Sequence, residues 1–203
     1  MLITGIRSKP VYAPLQPDLA GRYHVMVGHG VGAAPLARLL GELKSAAPAA
    51  LERTRVWYVT DPASPQSNAD EFHAANVAEV RVFDSIDALL TDLTTALDEA
   101  LMGTRLYVAG PESFMGLIMR IAHGFNLAGD EVRAEECGTM ARRVHCIHCR
   151  ATIEGVRTNI VECSCHRWLV VRDHYSRRLA AYMGVMVDAE APGERPEIKE
   201  VFL

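Results

Sequence analysis

The 203-residue chain lacks several features that would assign it quickly to a class of protein. It has no run of about 18 apolar residues, so no membrane span is expected. Its first residues lack a charged lead followed by an apolar stretch and a small-residue cleavage site, which favours a cytoplasmic protein. A net charge of −4 argues against nucleic acid as a general partner. Internal repeats are absent as well.

Cysteine is scarce, and its placement is the most informative feature of the chain. Four of the five cysteines fall in one short stretch: Cys146, Cys149, Cys163 and Cys165. Two close pairs joined by a loop of thirteen residues suit a tetrahedral thiolate site, because each pair can sit on a tight turn that points two sulfurs at one ion. In a reducing compartment this pattern favours metal ligation over disulfides. Cys137 is expected to be a small buried apolar residue.

Ligand type alone leaves the metal open. Four thiolates suit Zn²⁺ in a closed structural site, a single Fe, or an Fe–S cluster, and Zn²⁺ is the favoured expectation. Zinc ribbons and rubredoxins usually place two residues between both pairs of cysteines, whereas only Ser164 separates the second pair here. Plant-type ferredoxin spacing is absent. Three neighbouring histidines are candidates to replace a thiolate, although a position in solvent is the simpler expectation for each: His145, His148 and His166.

Upstream of the cysteines, strand-like and helix-like segments alternate. Short apolar runs predict strands over residues 23–27, 55–59, 80–83, 106–109 and 131–135. Periodic apolar residues predict helices from Pro35 to before Pro48, over residues 70–76, from Ser85 to Gly103, and after Pro111. This alternation predicts an α/β fold with a doubly wound parallel sheet and helices on both faces.

The texture changes after Cys137, where helical periodicity disappears. Short β-like runs at residues 159–161, 168–171 and 180–182 predict a small β-rich metal-knuckle domain that carries the four cysteines. The expected organisation is therefore an extended lead-in over residues 1–22, an α/β domain over 23–136, the metal domain over 137–187 and a loosely held acidic tail over 188–203.

Charge is distributed unevenly between these segments. Residues 137–187 carry eight arginines against three acidic residues, although the whole chain is acidic. This excess is either a solvated basic face or a docking surface for an acidic partner.

Two glycine-containing motifs lie between predicted strands and helices. The first is VGHGVGAAP from Val27 to Pro35, and the second is GPESFM from Gly110 to Met115. In this order they resemble the pyridine-nucleotide half of the ferredoxin–NADP reductase family. The resemblance implies contacts with NAD(P)H, whose diphosphate would lie at the start of a helix. The residues that it implicates are Gly28, Gly30, Gly32, Gly110 and Pro111.

The chain departs from that family at several points. The cysteine of the second family motif is Ala109 here. Asp61 stands after the second strand, where the family often carries an arginine for the 2′-phosphate, and a carboxylate there would repel a phosphate. The resemblance implies a flavin-binding barrel with an R-x-Y-[ST] motif before this domain, whereas only residues 1–22 precede the first predicted strand, so this chain alone is not expected to pass a hydride to flavin. A scaffold that has lost nucleotide binding is therefore the competing interpretation.

Taken whole, the sequence resembles the DmmA-type small subunits of bacterial dimethylamine monooxygenase, also called haem-dependent oxidative N-demethylase. The resemblance is carried by IRSKPVY from Ile6, by the two glycine motifs, and by the stretch from Cys146 to Arg178. It implies a subunit of a multicomponent NADPH-dependent monooxygenase. In the partner subunits, haem would lie in a PAS-like catalytic subunit, and FMN and a [2Fe–2S] centre would lie in a reductase subunit. Folate would serve the handling of formaldehyde.

Three functions are compatible with these observations. The favoured one is a non-catalytic assembly and docking subunit, in which Arg172, Arg177 and Arg178 steer an acidic ferredoxin-like module. Local pairing of these arginines with Asp173 is the competing interpretation. The alternatives are an electron-transfer component that carries iron at the four-cysteine site, and a nucleotide-binding regulatory subunit that uses the glycine loop.

Overall fold

The computed structural model describes residues 8–61, 69–127, 129–189 and 191–203. The chain divides into two compact units. The first unit is Tyr12–Gly138, and the second contains Thr139–Leu203 together with the described residues up to Val11. None of the described helices is long and apolar enough to cross a membrane.

The described residues of the first unit form five parallel strands and four helices. The strands are β1 (Tyr23–His29), β2 (Thr54–Val59), β3 (Glu79–Phe83), β4 (Thr104–Gly110) and β5 (Val132–Glu136). The helices are α1 (Ala33–Ala46), α2 (Ala69–Ala74), α3 (Ile86–Asp98) and α4 (Glu112–Gly124), with short 3-10 segments at Gly30–Gly32 and Pro48–Arg53. The sheet order is β3-β2-β1-β4-β5, which confirms the predicted doubly wound α/β fold.

Two hydrophobic clusters cover the opposite faces of this sheet. Successive residues of a strand point to opposite sides, so Met26 packs with α1 while Val25 and Val27 pack with α3 and α4. The leucine stripe of α1 is buried, as its helical spacing predicts: Leu36, Leu39, Leu40 and Leu43. Burial on both faces explains why these strands are short apolar runs.

Helix α3 is shorter than its sequence pattern predicts. Ser85 caps its start by accepting a hydrogen bond from the Ala88 N–H at 3.2 Å, as expected. The helix ends at Asp98, however, and Leu101 is 60% exposed instead of continuing the buried stripe. The residues between Asp98 and Thr104 form the turn that carries the chain into β4.

In the second unit, the part of the chain that the structure describes forms a five-stranded mixed sheet. Its strands are β6 (Arg142–Cys146), β7 (Thr152–Val156), β8 (Ile160–Glu162), β9 (Trp168–Ser176) and β10 (Ala181–Met186), in the order β7-β6-β10-β9-β8. The sequence predicted β8, β9 and β10 as β-like runs but not β6 or β7. Strand β6 begins with a buried arginine, Arg142, which is only 8% exposed, and its buried positions alternate with half-buried polar residues. The sequence of this strand therefore does not look apolar.

The N-terminal segment adds to the edge of this sheet. Strand β8 pairs only with the first part of β9, which leaves the second part available. There the Ser8 N–H donates to the Asp173 carbonyl at 2.9 Å, and the Tyr175 N–H donates to Ser8 Oγ at 3.2 Å. Residues 8–11 therefore group with the second unit.

The last residues of the chain are also paired to the second unit. The Asn159 N–H donates to the Lys199 carbonyl at 3.0 Å, and the Val201 N–H donates to the Arg157 carbonyl at 2.9 Å. Phe202 is only 9% exposed and belongs to the core. The expectation of a loosely held tail is therefore wrong for these residues, because backbone pairing and an apolar anchor hold them.

Arg142 links that anchor to the sheet. Its guanidinium lies 3.8 Å from the Phe202 ring centroid and 3.9 Å from that of Tyr182, and it pairs with Asp173 at 2.7 Å. Stacking on two rings satisfies a buried cation that would otherwise be costly to desolvate.

Replacing Gly32 by Ala should destabilise the first unit. The new Cβ would lie 2.2 Å from the Ala109 carbonyl oxygen, and a backbone atom in β4 cannot move aside easily. We expect the free energy of unfolding, measured by urea denaturation, to fall by about 1–3 kcal/mol. Gly41→Ala is the matched control, because nothing lies within 4 Å of its Cβ position in α1. It should stabilise the helix by about 0.5–1 kcal/mol, and equal effects of the two variants would contradict this packing.

Candidate metal centre and glycine-rich loop

The first cysteine pair lies on the turn that joins β6 to β7. Cys146 ends β6, its N–H donates to the Ala151 carbonyl at 2.9 Å, and its carbonyl accepts from the Arg150 N–H at 2.9 Å. Arg150 has a φ of 66°, in the left-handed region. This turn returns the chain into β7 and leaves Cys149 one residue before the left-handed position.

The second pair lies on the turn between β8 and β9. The Cys163 N–H donates to the Arg167 carbonyl at 2.9 Å, and the His166 N–H donates to the Cys163 carbonyl at 2.8 Å. His166 has a φ of 60° and directly follows Cys165. Both turns thus end in a cysteine followed by a left-handed residue. The second turn is one residue shorter, which accounts for its single intervening residue.

These turns bring the four sulfur atoms together. All of them lie within 4.8 Å of one another. Two of the separations are 3.9 Å, from Cys146 to Cys165, and 3.5 Å, from Cys149 to Cys163. A tetrahedral ion with sulfurs at about 2.3 Å requires sulfur–sulfur separations of about 3.8 Å. The arrangement therefore fits one ion, whereas a cluster would spread its thiolates over several iron atoms.

The protein surrounds this group unevenly. Cys146 and Cys163 are buried beside Leu169, whereas Cys165 is half-buried and Cys149 is exposed. With four protein sulfurs, a single ion would keep no position for water or substrate. The site therefore has the donor set of a structural or electron-transfer centre.

The electrostatics of the sulfurs also favour a cation. The Arg167 side chain hydrogen-bonds to Cys165 and is the main reason why the pKa of that thiol falls to about 6. A backbone hydrogen bond from Ala151 lowers the pKa of Cys149, but contacts with the other thiols, Cys163 first among them, outweigh it and raise this pKa to about 12. Four adjacent thiols cannot all ionise without a compensating positive charge, which a metal ion supplies.

Other candidate residues take different positions. Among the described residues, the sulfur group does not include His145, His148 or His166. Cys137 is half-buried in the first unit, where burial is the main reason that its pKa rises to about 11. The sequence analysis did not assign a role to Arg167, although a cationic residue two positions after Cys165 could have been predicted to lie near the thiolates.

The glycine motifs meet at the carboxyl ends of two neighbouring strands. Gly28 pairs with Ala109 in register, so the loop after β1 lies beside the end of β4. A Cβ at Gly32 would lie 2.6 Å from the Ala109 carbonyl carbon, and one at Gly110 would lie 3.4 Å from the His29 carbonyl oxygen. Pro111 is buried at the start of α4. The structure thus brings both motifs together at the point where strand order reverses, as in nucleotide-binding sheets.

An acidic side chain and two hydrophobic or aromatic side chains of the protein lie close to the glycines of this loop. A Cβ at Gly30, whose φ is 54°, would lie 3.1 Å from Asp61 Cβ and 3.3 Å from Asp61 Oδ2. A Cβ at Gly28 would lie 2.7 Å from Leu36 Cδ1. Tyr58 donates its hydroxyl to the Gly30 carbonyl at 2.7 Å. The glycines therefore serve close packing here, and the Asp61 carboxylate opposes an anionic diphosphate.

Two family matches cover most of the sequence. Residues 4–132 match the N-terminal domain described as dimethylamine monooxygenase subunit DmmA-like, and residues 143–185 match the C-terminal domain of the same description. The chain belongs to the DmmA-like family. This membership confirms the resemblance drawn from the cysteine stretch and the glycine motifs.

Individual relatives agree with the family assignment. The heme-dependent oxidative N-demethylase delta subunit of Ectopseudomonas mendocina (strain ymp) is 33% identical over 127 residues, which are 59% of this chain and 73% of that protein. The chain is thus similar, over much of its length, to a subunit of an oxidative N-demethylase.

Solved structures show a likeness of fold. An intact type IV self-sufficient cytochrome P450 monooxygenase superposes with a TM-score of 0.50 at 13% identity, over 84% of this chain and 28% of that one. Phthalate dioxygenase reductase gives a TM-score of 0.49 at 16% identity, over 68% of this chain and 45% of that one. At 13% identity the first comparison shows a likeness of fold alone, and this chain spans less than half the length of either protein.

Replacing Cys163 by Ser should remove the metal and unfold the second unit, because binding free energy at a buried thiolate site is also folding free energy. Apparent values at structural zinc sites are about 10–16 kcal/mol. We expect metal emission to fall well below one equivalent after dialysis, and proteolysis to cleave within residues 139–203 while residues 12–138 stay protected. Ser164→Ala, at an exposed position between the two cysteines, is the control and should keep metal and protection. Full metal content and protection in Cys163→Ser would refute the site.

Proposed function

We propose that this chain is a non-catalytic assembly and docking subunit of a multicomponent NADPH-dependent monooxygenase that oxidatively N-demethylates dimethylamine. Its partners are a haem subunit and a flavin- and ferredoxin-containing reductase subunit, and folate serves the same system elsewhere. Family membership and the delta-subunit relative support the assignment to such a complex. No catalytic residue is assigned to this chain.

The closed set of four sulfurs is the observation that carries the non-catalytic role. Catalytic zinc sites keep a position open for water or substrate, whereas four protein thiolates fill a tetrahedral ion. Cys146, Cys149, Cys163 and Cys165 would hold Zn²⁺, which supplies cross-linking of two turns and no redox chemistry. In this proposal the ion stabilises a surface that other subunits recognise.

The glycine-rich loop supports the same role. The Asp61 side chain lies against Gly30, and Gly32 is packed on β4, so the loop offers little to a diphosphate. We propose that the reductase-like fold persists as a scaffold and that NAD(P)H binds to a partner subunit.

Three arginines supply the docking charge in this proposal. Arg177 and Arg178 are exposed and Arg172 is half-buried. Asp173, their nearest acidic neighbour in sequence, pairs instead with Arg142 at 2.7 Å. Among the described residues no ion pair connects the three arginines to a carboxylate. Their charge is thus available to attract an acidic module.

A second function, electron transfer through a single Fe, is favoured by the exposure of Cys149. A ligand at the surface gives electrons a short route to a docked partner. Iron would colour the protein and change its spectrum on reduction, whereas zinc would do neither.

Metal emission, a visible spectrum and an NADPH titration of the purified chain separate these functions. We expect one equivalent of zinc, no visible band, no thermal shift with NADPH, and no NADPH oxidation with an artificial acceptor. Iron with a band that bleaches on adding dithionite would replace the structural role by electron transfer. A thermal shift with NADPH would instead favour nucleotide binding.

The double substitution Arg177→Gln and Arg178→Gln should slow association with the reductase subunit. Removing two charges weakens electrostatic steering, and we expect a decrease of roughly tenfold in the association rate constant at low salt. Surface plasmon resonance at two ionic strengths measures this, since the difference should shrink as salt rises. Arg120→Gln, at an exposed position on α4, is the control. Equal association rates for the three proteins would exclude these arginines from docking.

A further inference from the structure

One face of the second sheet is crossed by a segment that leaves open grooves beside it. In β9, Leu169 and Val171 point into the core, so Trp168, Val170 and Arg172 lie on the opposite face and are half-buried. Residues 191–196, here termed the strap, cross this face. Two cavities of about 570 and 210 Å³ lie along it, and strap residues line both of them. Both cavities are open to solvent, so the strap leaves part of this face uncovered.

The strap is held mainly at its ends and by one side-chain contact. On its N-terminal side the Gly193 N–H donates to Asp188 Oδ2 at 3.1 Å, and beyond its C-terminal side the Lys199 N–H donates to Asn159 Oδ1 at 2.7 Å. In the middle, the Arg195 guanidinium stacks on the Trp168 ring at 4.3 Å. Among the described residues, no ion pair fastens Glu194 to the sheet. Loss of the Arg195–Trp168 contact would therefore release the C-terminal half of the strap from the sheet, while the hydrogen bonds of Gly193 and Lys199 remain.

The covered face has the composition of a protein interface. Trp168, Val170 and Val185 supply an apolar centre, and Arg172 and His148 lie at its margin. Tryptophan and arginine are enriched among residues that contribute most to binding, and apolar centres with polar rims are typical. The strap carries one acidic and one basic residue, Glu194 and Arg195, and so has no net charge, whereas Arg167 and Arg172 line the cavities on this face. The charge of the face therefore favours an acidic partner over the neutral strap.

We propose that this face is a docking surface for an acidic protein partner with an apolar centre, and that the strap is a resident competitor released by loss of the Arg195–Trp168 contact. The inference rests on the proposed docking function and adds to it the location of the surface and its control. A partner must displace the strap, so the observed affinity is reduced by the fraction of molecules in which the strap is closed.

Binding of a fluorescein-labelled peptide of alternating glutamate and leucine to the full-length chain tests this proposal. Arg195→Gln should increase affinity roughly fivefold by opening the strap, and should speed amide exchange in residues 191–196. Arg172→Gln should weaken binding of the peptide in both the wild-type and the Arg195→Gln background. Arg120→Gln should change neither quantity. Unchanged affinity in Arg195→Gln, or tighter binding that is insensitive to Arg172→Gln, would overturn the proposal.

Assembly with the other subunits, followed by size-exclusion chromatography, separates this inference from the function on which it rests. If the wild-type chain does not assemble, the proposed docking function fails whatever the peptide does. If the wild-type chain and Arg172→Gln both assemble equally well while the peptide is indifferent to Arg195→Gln, only the docking face and its strap are refuted.

Discussion

The close approach of four cysteine sulfurs is the constraint on which the C-terminal unit depends. Its hydrophobic clusters are small, and one of them consists of Cys146 and Cys163 beside Leu169. A core of this size supplies little free energy of folding by itself. When no cation is present, four thiols within 4.8 Å of one another cannot all ionise, because each thiolate disfavours the ionisation of its neighbours. A bound ion would relieve both difficulties, because its binding free energy is available only to the folded unit.

Convergence of the two turns also constrains the strands that carry them. Strand β10 lies between β6 and β9, and a Cβ at Gly184 would lie 2.8 Å from Val144 Cγ1 and 2.9 Å from Leu169 Cδ1. The missing side chain lets the flanking strands pack closely on this residue. The Ile147 N–H donates to the Gly184 carbonyl at 3.2 Å, which ties the first turn to the same point. The surface proposed as the docking face lies beside these turns and is thus built on the candidate metal site.

In the α/β unit, glycines also allow close packing, but there they lie in a loop that resembles a phosphate-binding motif. Gly28, Gly30 and Gly32 form a loop with the sequence of a phosphate cradle, yet each faces a packed neighbour: Leu36, Asp61 and the β4 backbone. A glycine motif reports that the backbone approaches something closely, and it does not report whether that partner is a ligand or the protein itself. The chain belongs to the DmmA-like family, and the packing around these glycines is the observation that supports the proposed scaffold role of its α/β sheet.

The sequence by itself determined the α/β sheet, the β-rich nature of the cysteine domain and the four sulfur residues, because strand alternation, leucine periodicity and cysteine spacing are local patterns with direct structural meaning. It could not locate β6, since Arg142 becomes buried only by stacking on Tyr182 and Phe202. Nor could it attach Ser8 or Phe202 to the second sheet. Those contacts join residues far apart in the chain, and only the tertiary structure decided them, because the energy of a long-range contact depends on neighbours that the local sequence does not contain.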